Sequence, residues 1–229
     1  MMTDTLVAHS SEIEKANFYK KTYLHVALSI LAFIGVETIL LKVVPVELIA
    51  MMFGQKYTWL LIIGVFWLAS MLANKWSLSQ SRSTQYLGLG FYILLEAVIF
   101  LPILYIATGY SGGGTMIFQA AMLTIAMFAG LSFVAFTSKK DFSFLRNIII
   151  IGGFLSLGLI VAGAIFGFNL GLWFSVGMVI LASASILYET SKLKNVYTTE
   201  QYVGASLQLF ASIMLLFWYI LRILMSRRS

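Results

Sequence analysis

Seven long apolar runs separated by short polar stretches set the rhythm of this chain. They cover residues 22–42, 58–74, 85–108, 115–137, 145–168, 170–190 and 202–225. A helix rises about 1.5 Å per residue, so about 20 apolar residues cross the hydrocarbon core of a bilayer, and each run comes near that length. No alternation of period two competes over these stretches, which argues for helices and against strands. The connections are short. The pattern therefore predicts an all-α integral membrane protein, with seven transmembrane helices forming one domain over 22–225. Residues 1–21 are predicted as a solvated tail and 226–229 as a basic one.

Composition agrees and removes several classes of function. The chain has 229 residues, 60% hydrophobic and only 10% charged, which suits a lipid bilayer as solvent. Cysteine is absent, so disulfides, thiolate metal sites and cysteine nucleophiles are excluded. The first 21 residues lack the apolar core and small-residue cleavage site of a secretory signal. A net charge of +6 could suit nucleic acid, but the 15 Lys and Arg lie between apolar runs and at the two ends. That placement reports membrane orientation and forms no basic groove, so no nucleic-acid partner is predicted.

With the N-terminus cytoplasmic, ten cations fall inside: Lys15, Lys20, Lys21, Lys75, Arg82, Lys139, Lys140, Arg146, Lys192 and Lys194. Lys42, Lys56, Arg222, Arg227 and Arg228 fall on the other side, and the imbalance predicts a cytoplasmic N-terminus. Three of those five close the chain. A re-entrant last helix would return them inside, so both arrangements of that helix stay open.

Small residues and aromatics speak to packing. Gly163, Gly167 and Gly171 recur every fourth residue, as do Gly109 and Gly113, a spacing that lets helix backbones approach in lipid. Tyr110-Ser-Gly-Gly-Gly114 is predicted as a turn. Tyr57, Trp59, Trp76, Tyr86, Tyr105, Tyr110 and Trp173 fall near the predicted helix ends as an interfacial belt.

Candidate chemistry lies with acids inside the apolar runs. A charge near the bilayer centre costs on the order of 2.5 to 3.5 kcal/mol, so such an acid is paired, wet or neutral. Glu96 is nearest the middle of its run, where a neutral acid bonded to a neighbouring helix and a proton or ion path are both open. Glu37 is predicted as a surface-facing partner of Lys42. Glu189 closes the sixth run with Lys192 and Lys194 following, and Lys75 and Arg82 lie on the same predicted side as counter-charges. A carboxylate beside such cations stays ionised until acid protonates it, the physics of a latch. His25 is predicted as a headgroup-level anchor. Two histidines sixteen residues apart form no ligand pair, so no metal site is predicted. There is no Gly-x-Ser-x-Gly, His-Glu-x-x-His or phosphate-binding loop, and no late histidine activates Ser132, so an enzyme is not predicted.

Ala129-Gly-Leu-Ser-Phe-Val-Ala-Phe-Thr-Ser-Lys-Lys-Asp-Phe-Ser143 resembles the Bax inhibitor-1 family, in its short bacterial form, with Lys139, Lys140 and Asp141 in the family's loop motif. Tyr188-Glu-Thr190 is similar to its Tyr-Asp-Thr, and the stretch 209–224 to its last helix; the likeness covers about 17–225. The resemblance implies six helices wrapped around a central C-terminal one, in a bacterial cytoplasmic membrane. It implies a calcium-permeable leak controlled by two proton-sensing aspartates, and roles in stress-induced cell death or in modulating a membrane protease. The first aspartate falls on Glu189 and the second on Ser212, so the paired-acid sensor is incomplete. Calcium wants six to eight oxygens, and only Glu189 and Glu96 offer carboxylates, so no cofactor beyond weak calcium binding is expected. Two functions follow: a calcium or proton leak gated by Glu189, Ser212 and Glu96, or a non-conducting regulator of a membrane-protein partner such as a protease.

Overall fold

The computed structural model describes residues 5–54 and 56–227; residues 1–4 and 228–229 of the two predicted tails lie outside the described residues. Eight α-helices follow in chain order: α1 Glu12–Val43, α2 Val46–Gly54, α3 Lys56–Ser77, α4 Arg82–Gly109, α5 Gly113–Thr137, α6 Leu145–Phe166, α7 Gly171–Asn195 and α8 Tyr202–Ser226. All except α2 are long and apolar enough to cross a membrane, which gives the seven spans that the pattern predicts.

Helix α1 begins ten residues before its predicted start. Ser11 and Glu14 form a capping box, with the Ser11 amide donating to the Glu14 carboxylate at 2.9 Å and the Glu14 amide to Ser11 Oγ at 3.4 Å. The box satisfies amides that a helix start leaves without partners, so the helix extends through a polar first stretch that hydropathy alone passes over. Upstream, residues 5–9 are not a free tail. Val7 is fully buried, its amide donates to the Tyr197 carbonyl at 3.0 Å, and the Thr199 amide donates to the Thr5 carbonyl at 3.2 Å. This strap ties the start of the chain to the loop between α7 and α8.

Short α2 was not predicted. Pro45 ends the first apolar run and its carbonyl receives the Leu48 and Ile49 amides at 3.1 and 3.2 Å, which turns the chain into nine helical residues packed on α3 and α4. The glycine series also has a different use. Gly167 and Gly171 have φ of 77° and 65°, conformations open to glycine at little cost, and they form the turn between α6 and α7 instead of a helix-packing stripe.

Alternation of direction defines two ends: a proximal end where α1, α4, α6 and α8 begin, and a distal end where they finish. Helix α8 packs against α1, α3, α4, α5 and α7, and is buried around most of its circumference from Tyr202 to Leu221. Helix α6 packs chiefly on α7 and α3. An apolar core centred on Phe18, Phe100, Phe210, Leu209 and Leu216 joins α1, α4 and α8. Its aromatic contacts are close, with Phe100 stacked on Phe217 at 5.8 Å and edge-on to Trp218 at 4.9 Å.

Candidate functional site

The site is built from α8 outward, because that helix carries polar side chains into the interior. Ser206, Gln208 and Ser212 lie on a helix that is otherwise apolar where it is buried. Ser212 Oγ donates to the Gln208 backbone carbonyl at 3.0 Å, and 2.8 Å separates it from Ser185 Oγ of α7. The Gln208 amide nitrogen donates to Asn74 Oδ1 of α3 at 2.5 Å.

Above these groups lies a cavity of about 650 Å³, reaching from Asn169 and Arg222 at the distal end down to Gln208. Along α8 that is about 20 Å of helix rise, most of a hydrocarbon thickness. Glu96 of α4 lines it with Ser185, Gln208 and Ser212, while Trp59, Phe100 and Trp218 supply much of the wall. Glu96 is only 5% exposed and is hydrogen-bonded to Tyr92, one turn back on its own helix. Sequence position placed Glu96 near mid-membrane, and the fold sets it in one cavity with Ser212.

Glu189 belongs to a separate cluster at the proximal end. Ser185, which touches Ser212, lies four residues earlier on α7, one helical turn or about 6 Å away. Glu189 Oε2 accepts from Lys192 Nζ at 2.8 Å and from the Tyr197 hydroxyl at 3.4 Å. Glu189 and Ser212 thus have different partners, and no hydrogen bond joins them. Burial, with the Glu189 carboxylate beside it, pushes the Tyr197 hydroxyl well above its ordinary range. Tyr197 is also the residue that the Val7 amide holds.

The predicted counter-charges are corrected. Lys192 is the cation on Glu189, because a spacing of three places both on one face of α7. Arg82 instead forms a salt bridge with Glu200 of the α7–α8 loop and sits 4.3 Å from the Tyr202 ring centroid. Lys75 is exposed near the end of α3. Glu37 is corrected as well: it is buried, and both carboxylate oxygens are without a hydrogen-bond partner. Lys42 follows by five residues, roughly 140° around the helix, and so projects elsewhere.

The loop motif has a structural task. Asp141 Oδ1 accepts from the Ser143 hydroxyl at 2.6 Å and from its amide at 2.9 Å, and these bonds hold its carboxyl below the usual range. Lys139 and Lys140 line a shallow hollow with Asp141 and Lys194. Lys194 Nζ donates to the carbonyls of Ala135 and Ser138 at 2.7 and 3.2 Å, closing the end of α5 with a cation where the helix dipole favours one. His25 Nε2 lies 2.9 Å from the Tyr86 hydroxyl, and its ring is 5.1 Å from that of Tyr202. Among the described residues no three acidic or histidine side chains converge, so a calcium ion would meet single carboxylates.

Sequence reasoning missed Tyr197, Gln208, Asn74 and Arg222. Gln208 and Asn74 meet only through a contact between elements distant in the chain. Lys192 was legible from its spacing to Glu189.

Comparison with known proteins adds two findings. A family model described as "Inhibitor of apoptosis-promoting Bax1" matches residues 15–229. An uncharacterized protein of Pseudomonas aeruginosa is 38% identical over 124 residues, 53% of this chain and 55% of that protein. An uncharacterized membrane protein of Vibrio cholerae is 34% identical over 130 residues, 54% of this chain and 55% of that one. The chain thus spans about half the length of the curated relatives it matches.

Proposed function

The chain belongs to the Bax inhibitor-1 family, and on that premise we propose that it is a cation leak pathway, for calcium or protons, along one side of α8. The observation that carries the reading is the cavity that reaches Glu96 and Ser212 from the distal end and stops at Gln208. In this reading the distal end faces away from the cytoplasm, and the N-terminus is cytoplasmic in a bacterial inner membrane. Glu96 attracts the cation in the vestibule, where low dielectric strengthens its field. The Gln208–Asn74 bond and the Tyr197 hydroxyl bonded to Glu189 close the proximal end. Opening requires those contacts to separate, so the closed form predominates and flux is slow.

Reconstitution into liposomes loaded with a calcium dye or a pH dye tests this. Glu189→Gln removes the charge that the Tyr197 hydroxyl is bonded to, a contact worth about 1.5 to 3 kcal/mol, and is expected to raise flux about tenfold. Glu96→Gln is expected to lower it. Unchanged flux in Glu189→Gln removes that residue as gate. Absence of flux from the wild type and from Glu189→Gln removes the pathway and leaves a non-conducting regulator of another membrane protein.

The leak should lack the steep pH dependence of a paired-acid sensor. Ser212 is bonded to Ser185 and offers no second carboxyl to share a proton with Glu189. Calcium uptake that steepens sharply between about pH 8 and about pH 6 would contradict that sign of coupling.

A further inference from the structure

We propose that the distal cavity is a binding site for a protonated organic amine, an ammonium group carried on an apolar, aromatic-sized body. The proposal uses the same cavity as the leak reading but does not require conduction, and it is tested by binding alone.

Size and lining are those of a small-molecule site. Pockets for drug-sized ligands run from about 300 to 1,000 Å³, mostly apolar with a few convergent polar groups, and this one is about 650 Å³. Its wall is largely aromatic, with Trp59 and Trp218 stacked at 6.2 Å and 17° between planes and Phe100 meeting Trp218 at 88°, and it suits an apolar, aromatic-sized body.

The floor favours a cation that carries N–H donors, because its acceptors outnumber the donors it has left. Ser212 gives its proton to the Gln208 carbonyl, so the proton between the two serines comes from Ser185, and both hydroxyls keep only acceptor capacity. Gln208 gives one amide proton to Asn74 and keeps its second N–H and its side-chain carbonyl. Glu96 contributes a carboxyl group, bonded to Tyr92, that can pair with an ammonium as its carboxylate. A ligand with N–H donors and positive charge suits this floor. A primary ammonium brings three donors and one charge, whereas a quaternary ammonium brings charge alone. A bare divalent ion would find one carboxylate and a few neutral oxygens where six to eight ligands are wanted.

Arg222 works against this ligand from the mouth and so supplies a signed control. It lies on α8 about 15 Å of helix rise beyond Ser212 and is partly exposed. Deep in the cavity an entering ammonium and the Glu96 carboxylate pair at low dielectric, and that attraction outweighs the repulsion from a charge at the wet rim.

The test is isothermal titration of the full-length protein in nanodiscs, with protein-free nanodiscs as the partition control. The probes are 3-phenylpropylamine, its N-trimethyl analogue and 3-phenylpropionate. Saturable binding of the primary amine is expected, with the trimethyl analogue weaker and the carboxylate absent. Glu96→Gln is expected to weaken the amine about tenfold or more, the loss of one charged hydrogen bond. Arg222→Ala is expected to tighten it about threefold, a gain that misfolding would not produce. The proposal is overturned if the amine shows no saturable binding, if the carboxylate binds tighter, if only a divalent cation binds, or if neither substitution changes amine affinity. Amine binding without flux would keep this site and remove the leak; flux without amine binding would do the reverse.

Discussion

Lys192 sits on the same helix as Glu189, three residues along, and the pair therefore moves as one body when α7 moves. It cannot by itself fasten α7 to a neighbour; Tyr197, in the following loop, makes that connection. Lys192→Met would leave a buried carboxylate facing only a phenol, and a loss of about 2 kcal/mol is expected, read as a lower melting temperature in detergent, with Lys192→Arg recovering most of it. Asp141 offers a residue whose titration is set by one neighbour. Because the Ser143 bonds depress its folded pKa, their contribution is full above the ordinary carboxylate range and is lost as pH falls through the depressed value. Carboxyl NMR titration should place the Asp141 midpoint below that of a free aspartate, and Ser143→Ala should bring it back up. Glu96 and Glu189 stood out in the sequence because an acid in an apolar run is costly. Of their partners, Lys192 was legible from its spacing, whereas Tyr92 is an ordinary helix neighbour until burial is known.

Helices α3 and α4 cross so closely that Gly88 has no room for a side chain: a Cβ there would lie 2.6 Å from the Ala73 carbonyl oxygen and from the Ser77 amide. Gly88→Ala must therefore push two backbones apart, and a loss of about 1 to 3 kcal/mol is expected from thermal unfolding in detergent. The start of α1 is a second local determinant. Ser11→Ala removes the cap and should cost about 1 kcal/mol, seen as faster amide exchange over residues 12–18 and unchanged exchange in α4. All seven spans were legible because twenty apolar residues in a row have few alternatives. The first turns of α1 were not, because their polar residues sit outside the lipid, where hydropathy gives no signal, although Ser11-x-x-Glu14 carried one. Nor could the sequence show that α2 would fold between α1 and α3, since nine mostly apolar residues after a proline suit a loop or a helix equally.

Across the whole molecule the two ends differ in kind. The distal end admits a deep cavity, while the proximal end is tied by ionic, aromatic and backbone contacts between segments far apart in the chain. That asymmetry makes orientation measurable, and the absence of cysteine makes any introduced thiol unique. An impermeant maleimide is expected to label Ser111→Cys in intact cells and Ser138→Cys only after the membrane is opened; the opposite pattern would invert the proposed topology. The strap at residues 5–7 has a consequence for biogenesis. Its partner, around Tyr197, emerges from the ribosome long after it, so the strap must idle until that loop has been made. A chain halted before α7 is complete would leave this end uncorked.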